Sequence, residues 1–409
     1  MRRYLRILTR RAAAVPFAAA VVARLPIAMG PLGMVVLIQH VRGGYAVAGV
    51  VTAAFGIGAT VGTPGWGGLL DRRGHPQVIG STSVLSAACL AALAVAAVQG
   101  APDAVLIAAA VGAGLTFPPI SPSMRGAWRV VLPGEEDRRA AYALDAVAVE
   151  TIFVVGPLLL SLLLLVTPPV VPLLVTAALL AAGGVGYAST GAARAVRPEP
   201  RRPGDDDRGR SPLRDGGVLR ALTVAAGLAI GFGLNDVSIT ATARESLGGQ
   251  ARLGLLFAAV AGGSAVGGLW YGSRARPGPE HQRLPVAVGG FAAGLTGTGL
   301  LLLAGRHAAP SVLLPLLMVV LFAAGLCIAP ALIMLGNITD HHGAADRLGE
   351  AQAWLNTAFT AGGALGTALA GAAIDAAGPA AGFLAGGGAV LLTAAVSVEG
   401  TRRWALSPR

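Results

Sequence analysis

Long apolar blocks alternate with short polar breaks along the whole chain. Each block of roughly 18 to 26 residues is long enough to cross a ~30 Å hydrocarbon core as a helix. In the first half they lie at Val15 to Ile38, Tyr45 to Trp66, Val78 to Val98, Val105 to Val130, Tyr142 to Val166 and Val170 to Tyr187. In the second half they lie at Leu219 to Thr240, Leu253 to Tyr271, Leu284 to Leu303, Val312 to Leu335, Glu350 to Ile374 and Ala380 to Val398. The pattern predicts an all-α polytopic membrane protein with 12 transmembrane helices.

The stretch "ARAVRPEPRRPGDDDRGRSPLRDGG" separates the sixth block from the seventh and has no apolar periodicity, which reads as a flexible linker. The predicted organisation is a six-helix bundle at 1–192, a cytoplasmic linker at 193–217 and a second six-helix bundle at 218–409. Three fragments recur between the halves. "GGL" stands at Gly67 to Leu69 and at Gly267 to Leu269; "AGL" with a proline four residues on stands at Ala113 (Pro119) and at Ala324 (Pro330); "RxxxA" stands at Arg139 and Arg347. Together they predict two pseudo-symmetric repeats. Gly58/Gly62, Gly263/Gly267 and Gly362/Gly366 form GxxxG pairs. In lipid, close backbone approach replaces the hydrophobic drive for helix association, so these helices are expected to pack tightly.

Charge fixes the sidedness. All 31 basic residues are arginine, and they concentrate at the N-terminus, at alternate connections and at the C-terminus. Short arginine-rich loops stay in the cytoplasm, so both termini are expected there, in a cell inner membrane whose anionic inner leaflet matches the basic face. Trp66, Trp128, Trp270, Tyr271 and Tyr187 fall at predicted inner ends, as interfacial aromatics do. The net charge of +11 is thus explained by topology and does not call for nucleic acid. With 54% hydrophobic and 12% charged residues no soluble surface can be built. The absence of lysine excludes Schiff-base chemistry, and Cys89 and Cys327 lack metal-ligand spacing. No nucleotide-binding motif, metal or cofactor site and no Ser/His cluster is evident, so an enzyme is not expected.

"GGLLDRRG", together with twelve spans arranged six plus six, resembles the major facilitator superfamily across essentially the whole chain. Gly67, Asp71, Arg72 and Gly74 match the family signature after the second span, while His75 and Pro76 stand where it has a basic pair. The resemblance implies a monomeric alternating-access transporter. Asp71 at the inner mouth is expected to face the N-terminus of span eleven, and Arg72 or Arg73 to pair with Glu350, so that the loop latches the halves. The family's proton-coupled drug exporters carry an arginine in span four and Gly-Pro in span five. Gly156-Pro157 agrees, but Ala108 stands at the first position, which weakens a multidrug reading.

Charges within spans cost about 2.5–3.5 kcal/mol each at mid-helix and face a cavity or a partner. Arg24 and Glu150 lie at similar depth, so they are expected to pair, with Glu150 as the protonatable coupling group; a structural ion pair is the alternative. Asp145 is read as a solvated vestibule residue. Asn235 and Asp236 are read as an outer gate or a helix cap, and Pro118 and Pro119 as a break in span four that lines the path. These features predict proton-coupled export of a small organic solute. A sugar or metabolite importer or facilitator, and a transport-inactive sensor or scaffold, stand as alternatives.

Overall fold

The computed structural model describes residues 7–132, 134–196, 215–249, 252–273, 279–342 and 348–404, with the side chains of 64, 67, 71, 340, 341, 342, 348–351 and 400–404 left out. Most of the predicted linker, 197–214, lies outside the described residues. Among the described residues, twelve helices are long and apolar enough to cross a membrane. They are Arg11–Arg42, Tyr45–Thr63, His75–Val98, Asp103–Val131, Glu135–Val166 and Val170–Ala188, then Gly216–Glu245, Leu253–Gly272, Glu280–Ala304, Pro310–Thr339, Gln352–Ala377 and Pro379–Glu399. The protein is an all-α membrane protein of two six-helix bundles.

Several helices outrun their apolar blocks. Span one begins at Arg11 and span five at Glu135, before the first membrane-compatible residue. Span five starts with Glu135, Glu136 and Asp137, which favour the positive end of the helix dipole, and Arg139 pairs with Glu135 one turn away. The "GGLLDRR" segment is likewise helix: the helix of span two runs from Tyr45 to Arg73. Only Gly74 interrupts it, at φ +84°, before span three begins at His75. Asp71, Arg72 and Arg73 therefore sit on a last helical turn, where a loop was expected.

Packing divides the residues into two compact units, Met1–Val41 with Ala54–Asp207, and Arg42–Ala53 with Arg208–Arg409. The first nine residues of span two thus belong to the second unit. Within the first unit, span one meets five and six, span two meets four, and span three meets four and six. Within the second, seven meets eleven and twelve, eight meets ten, and nine meets ten and twelve. The same set of neighbours recurs, shifted by six spans.

The seams explain the recurrence. Span four is helical over Asp103–Leu115 and again over Ile120–Val131, because Pro118 and Pro119 supply no N–H. Pro119 leaves the Leu115 carbonyl without its usual partner four residues on, and the Trp66 indole N–H donates to it at 2.5 Å. Gly62 packs against that same carbonyl oxygen and Gly58 against that of Val111, while Gly114 packs against that of Phe55. The second unit repeats the device. Span ten breaks between Gly325 and Ile328, and Pro330 denies the Leu326 carbonyl its usual donor four residues on. Gly267 lies on Leu326, Gly263 on Phe322, and Gly325 on Val260. A Cβ at any of these glycines would run into a carbonyl oxygen, so the GxxxG pairs mark backbone-to-backbone contact.

A buried polar network in the first unit

Span five presents a buried stripe, Ala141, Asp145, Ile152, Gly156 and Leu160, at helical spacing. Gly156 is where span one comes close: a Cβ there would lie 2.8 Å from the Ala28 methyl. Asp145 precedes it by about three turns on the same face. Arg24 of span one reaches this carboxylate, Nη2 to Oδ1 being 2.7 Å, with Arg24 1% and Asp145 7% exposed. Arg24 Nε donates to the Ala20 carbonyl at 3.0 Å. Its remaining terminal nitrogen, Nη1, is buried without a hydrogen-bond partner among the described residues.

Three further buried groups extend the polar region. Tyr187 of span six is fully buried within electrostatic reach of both Arg24 and Asp145. Ser123 of span four donates to the Tyr187 hydroxyl at 3.0 Å, and Ser123 Oγ lies 2.6 Å from Nδ1 of His75. With the serine proton committed to Tyr187, the matching tautomer places the proton of this contact on His75 Nδ1. Spans one, three, four, five and six thus contribute one residue each. Tyr187 packs in an apolar cluster with Phe17, Val78, Ile79, Met124, Ala127 and Trp128.

The geometry corrects several expectations. Arg24 meets Asp145, not Glu150. Glu150 lies five residues further, about 140° around the helix, and is exposed on the surface of the first unit. Asp145 is a buried ion-pair partner, not a solvated vestibule group, because it shares the face that Gly156 presses against span one. Asn235 and Asp236 do not cap span seven, whose helix continues to Glu245. Asn235 is buried and its amide donates to Asp236 Oδ1 at 3.2 Å, while Asn235 Oδ1 has no partner among the described residues. Trp128 and Tyr187 are buried, not interfacial, since both pack into the apolar cluster of the first unit. Pro118 and Pro119 stand at the break in span four. Gly74 carries the positive φ that joins two helices, and Arg72 and Arg73 are exposed. The side chains of Asp71 and Glu350, and the surroundings of Gly67, lie outside what the structure describes, and with them the predicted latch.

Sequence reasoning missed His75, Ser123 and Tyr187. His75 was noted only as a departure from the signature's basic pair; its imidazole turns inward, and a Cβ at Gly126 would lie 3.2 Å from its Cε1. A separate cavity of about 550 Å³ opens at the end of the first unit near Arg11, Val15, Val130 and Thr190, and contains none of the network residues.

Comparison with known proteins agrees with this architecture. The Major Facilitator Superfamily model matches residues 17–307. No curated protein sequence gives a match. Among solved structures, the POT family transporter PepTSo aligns with a TM-score of 0.73 at 15% identity, covering 97% of this chain and 99% of that one. The nucleoside transporter NupG aligns with a TM-score of 0.67 at 12% identity over 96% and 99% of the two chains. A bacterial homologue of the iron transporter ferroportin, in an inward-facing state, gives 0.67 at 16% identity over 96% and 99%. At such identities the likeness speaks for the fold, and the family match over most of the chain speaks for membership: the protein belongs to the Major Facilitator Superfamily.

Proposed function

We propose that the protein is a secondary active transporter that moves a small organic solute by alternating access, with inward proton flow driving export. The observation that carries this reading is the buried Arg24–Asp145 pair with an unpartnered Arg24 Nη1. Ionisable groups inside a membrane are retained where transport needs them. Protonating Asp145 cancels its charge and removes the ionic half of its contact with the guanidinium, so the proton changes the energy of the span one–span five seam directly. Arg24 Nη1 is then available to an anionic or carbonyl-bearing solute. One proton is worth about 2.3 kcal/mol per 100 mV, enough for roughly a fifty-fold solute gradient. Arginine-rich ends at alternate connections support cytoplasmic termini in a cell inner membrane. Glu150, exposed on the same helix, is the second candidate for the coupling carboxylate.

Metabolite comparison of deletion and overexpression strains identifies the solute, and proteoliposomes loaded with a pH-sensitive dye then report proton movement on its addition. Asp145→Asn is expected to abolish proton-driven transport while solute exchange continues. Driven transport at the wild-type rate in Asp145→Asn, together with its loss in Glu150→Gln, would transfer the coupling role to Glu150. Full driven transport in both variants would sink the reading.

A further inference from the structure

Asp375 occupies an awkward place. It lies in the last turn of the helix of span eleven, which ends at Ala377, where the negative end of the helix dipole disfavours an acid. Its carboxylate is nevertheless engaged: Oδ1 accepts the Tyr45 N–H at 2.7 Å and Oδ2 accepts the Ala46 N–H at 2.7 Å. These are the first two backbone donors of span two, which no residue of their own helix can satisfy. One helix's unfavourable acid is thus the charge-assisted cap of another. The chain is shaped for it. Gly43 turns with φ +79°, and at Gly44 a Cβ would lie 3.0 Å from Asp375 Oδ2. Below the cap, Gly371 packs on the Tyr45 carbonyl and Gly49 on that of Thr367. Tyr45 is buried with Arg244 and Glu245 of span seven within electrostatic reach.

Further along, span two changes company. From Ala54 it belongs to the first unit, where Gly58 and Gly62 lie on span four. One continuous helix is therefore fastened to the second unit by its first nine residues and to the first unit by the rest. Taking the alternating-access reading as given, we propose that Asp375 is a gating residue. It clasps the N-terminus of span two to the second unit, and its release frees that end of the helix to follow the first unit, opening the side of the membrane opposite the termini. The clasp is made to backbone N–H groups and depends on the single carboxylate.

Hydrogen exchange of the full chain in nanodiscs tests this without a known solute. In Asp375→Ala, amides of the segment 45–53 are expected to exchange at least about tenfold faster, with the segment 54–63 unchanged; Asp375→Asn, which keeps one good acceptor, is expected to lie between. Gly371→Ala, which pushes span two away without touching the carboxylate, is expected to reproduce the effect. As a second readout, Thr52→Cys in a Cys89→Ser/Cys327→Ser background is expected to react faster with an impermeant maleimide when Asp375 is replaced. Wild-type exchange and labelling in Asp375→Ala would overturn the proposal, and so would uniform acceleration across both segments, which reports general loosening. Because neither readout involves protons, loss of proton coupling in the Asp145 variant would leave this result standing, and the converse holds.

Discussion

Removing Asp145 is the sharpest test of the buried network, because the effect of one change differs in kind from that of two. At 2.7 Å and an effective dielectric constant of about 20, the Arg24–Asp145 attraction is roughly 6 kcal/mol. Desolvating each ion costs several kcal/mol, so the intact pair is close to neutral for stability. Asp145→Ala removes the attraction but leaves the guanidinium in place, 1% exposed and already one hydrogen bond short. That single change is expected to destabilise the protein by about 3–5 kcal/mol. The double variant Arg24→Met/Asp145→Leu keeps similar volume and removes both desolvation costs, so it is expected within about 1 kcal/mol of wild type, or above it. Reversible unfolding in mixed detergent micelles measures both. The double variant is also expected to be folded and without proton-driven transport, which separates stability from coupling. If Asp145→Ala proves no less stable than the double variant, Arg24 is not held as an ion by Asp145 and the reasoning fails.

Other consequences are more local. Tyr187→Phe removes the acceptor of the Ser123 hydroxyl and is expected to cost about 1 kcal/mol, with a shift in the His75 imidazole NMR signals as Ser123 is released. Trp66→Phe leaves the Leu115 carbonyl unpaired beside a proline break, so about 1–3 kcal/mol is expected from the same unfolding assay. Gly263→Leu places a side chain on the Phe322 carbonyl and is expected to prevent spans eight and ten from meeting, seen as loss of a monodisperse elution profile. Gly74→Ala forces an L-residue to φ +84° and ψ 156°, a region essentially confined to glycine, and is expected to cost about 1–3 kcal/mol while leaving the rest of the first unit unchanged in hydrogen exchange.

Which features were legible in the sequence follows from how each is encoded. Span number is written in block length, since the bilayer sets a minimum that no other constraint mimics. Tight seams are written in glycine spacing, and the breaks in spans four and ten in Pro118, Pro119 and Pro330. Helix ends were less legible, because Glu135 and Arg11 continue a helix into water where hydropathy no longer reports. The ion pair was misread for a geometric reason. Matching Arg24 to Glu150 used depth alone, yet a helix offers every depth on every face. The face was available: Gly156 marks the side pressed against span one, Asp145 precedes it by three turns, and Glu150 points elsewhere. His75, Ser123 and Tyr187 left no comparable mark, since their meeting depends on how spans three, four and six cross.

The two units also separate what the membrane demands from what transport demands. Both pack span two or eight on a broken span four or ten through glycine and a proline-freed carbonyl, and that device needs only small residues in register. The seam between spans seven and eleven follows the same rule along its length, with Gly233 on Gly363, Gly362 on Ala226 and Gly366 on Ile230. Spans one and five, its counterparts, keep the small-residue contact at Gly156 and Ala28 but place Arg24 against Asp145 on the same face. Lipid packing gains nothing from that substitution, because an ion pair is at best neutral where glycine and alanine would pack well. At this seam, then, the ion pair is the feature that the proposed coupling role, and not packing, would account for.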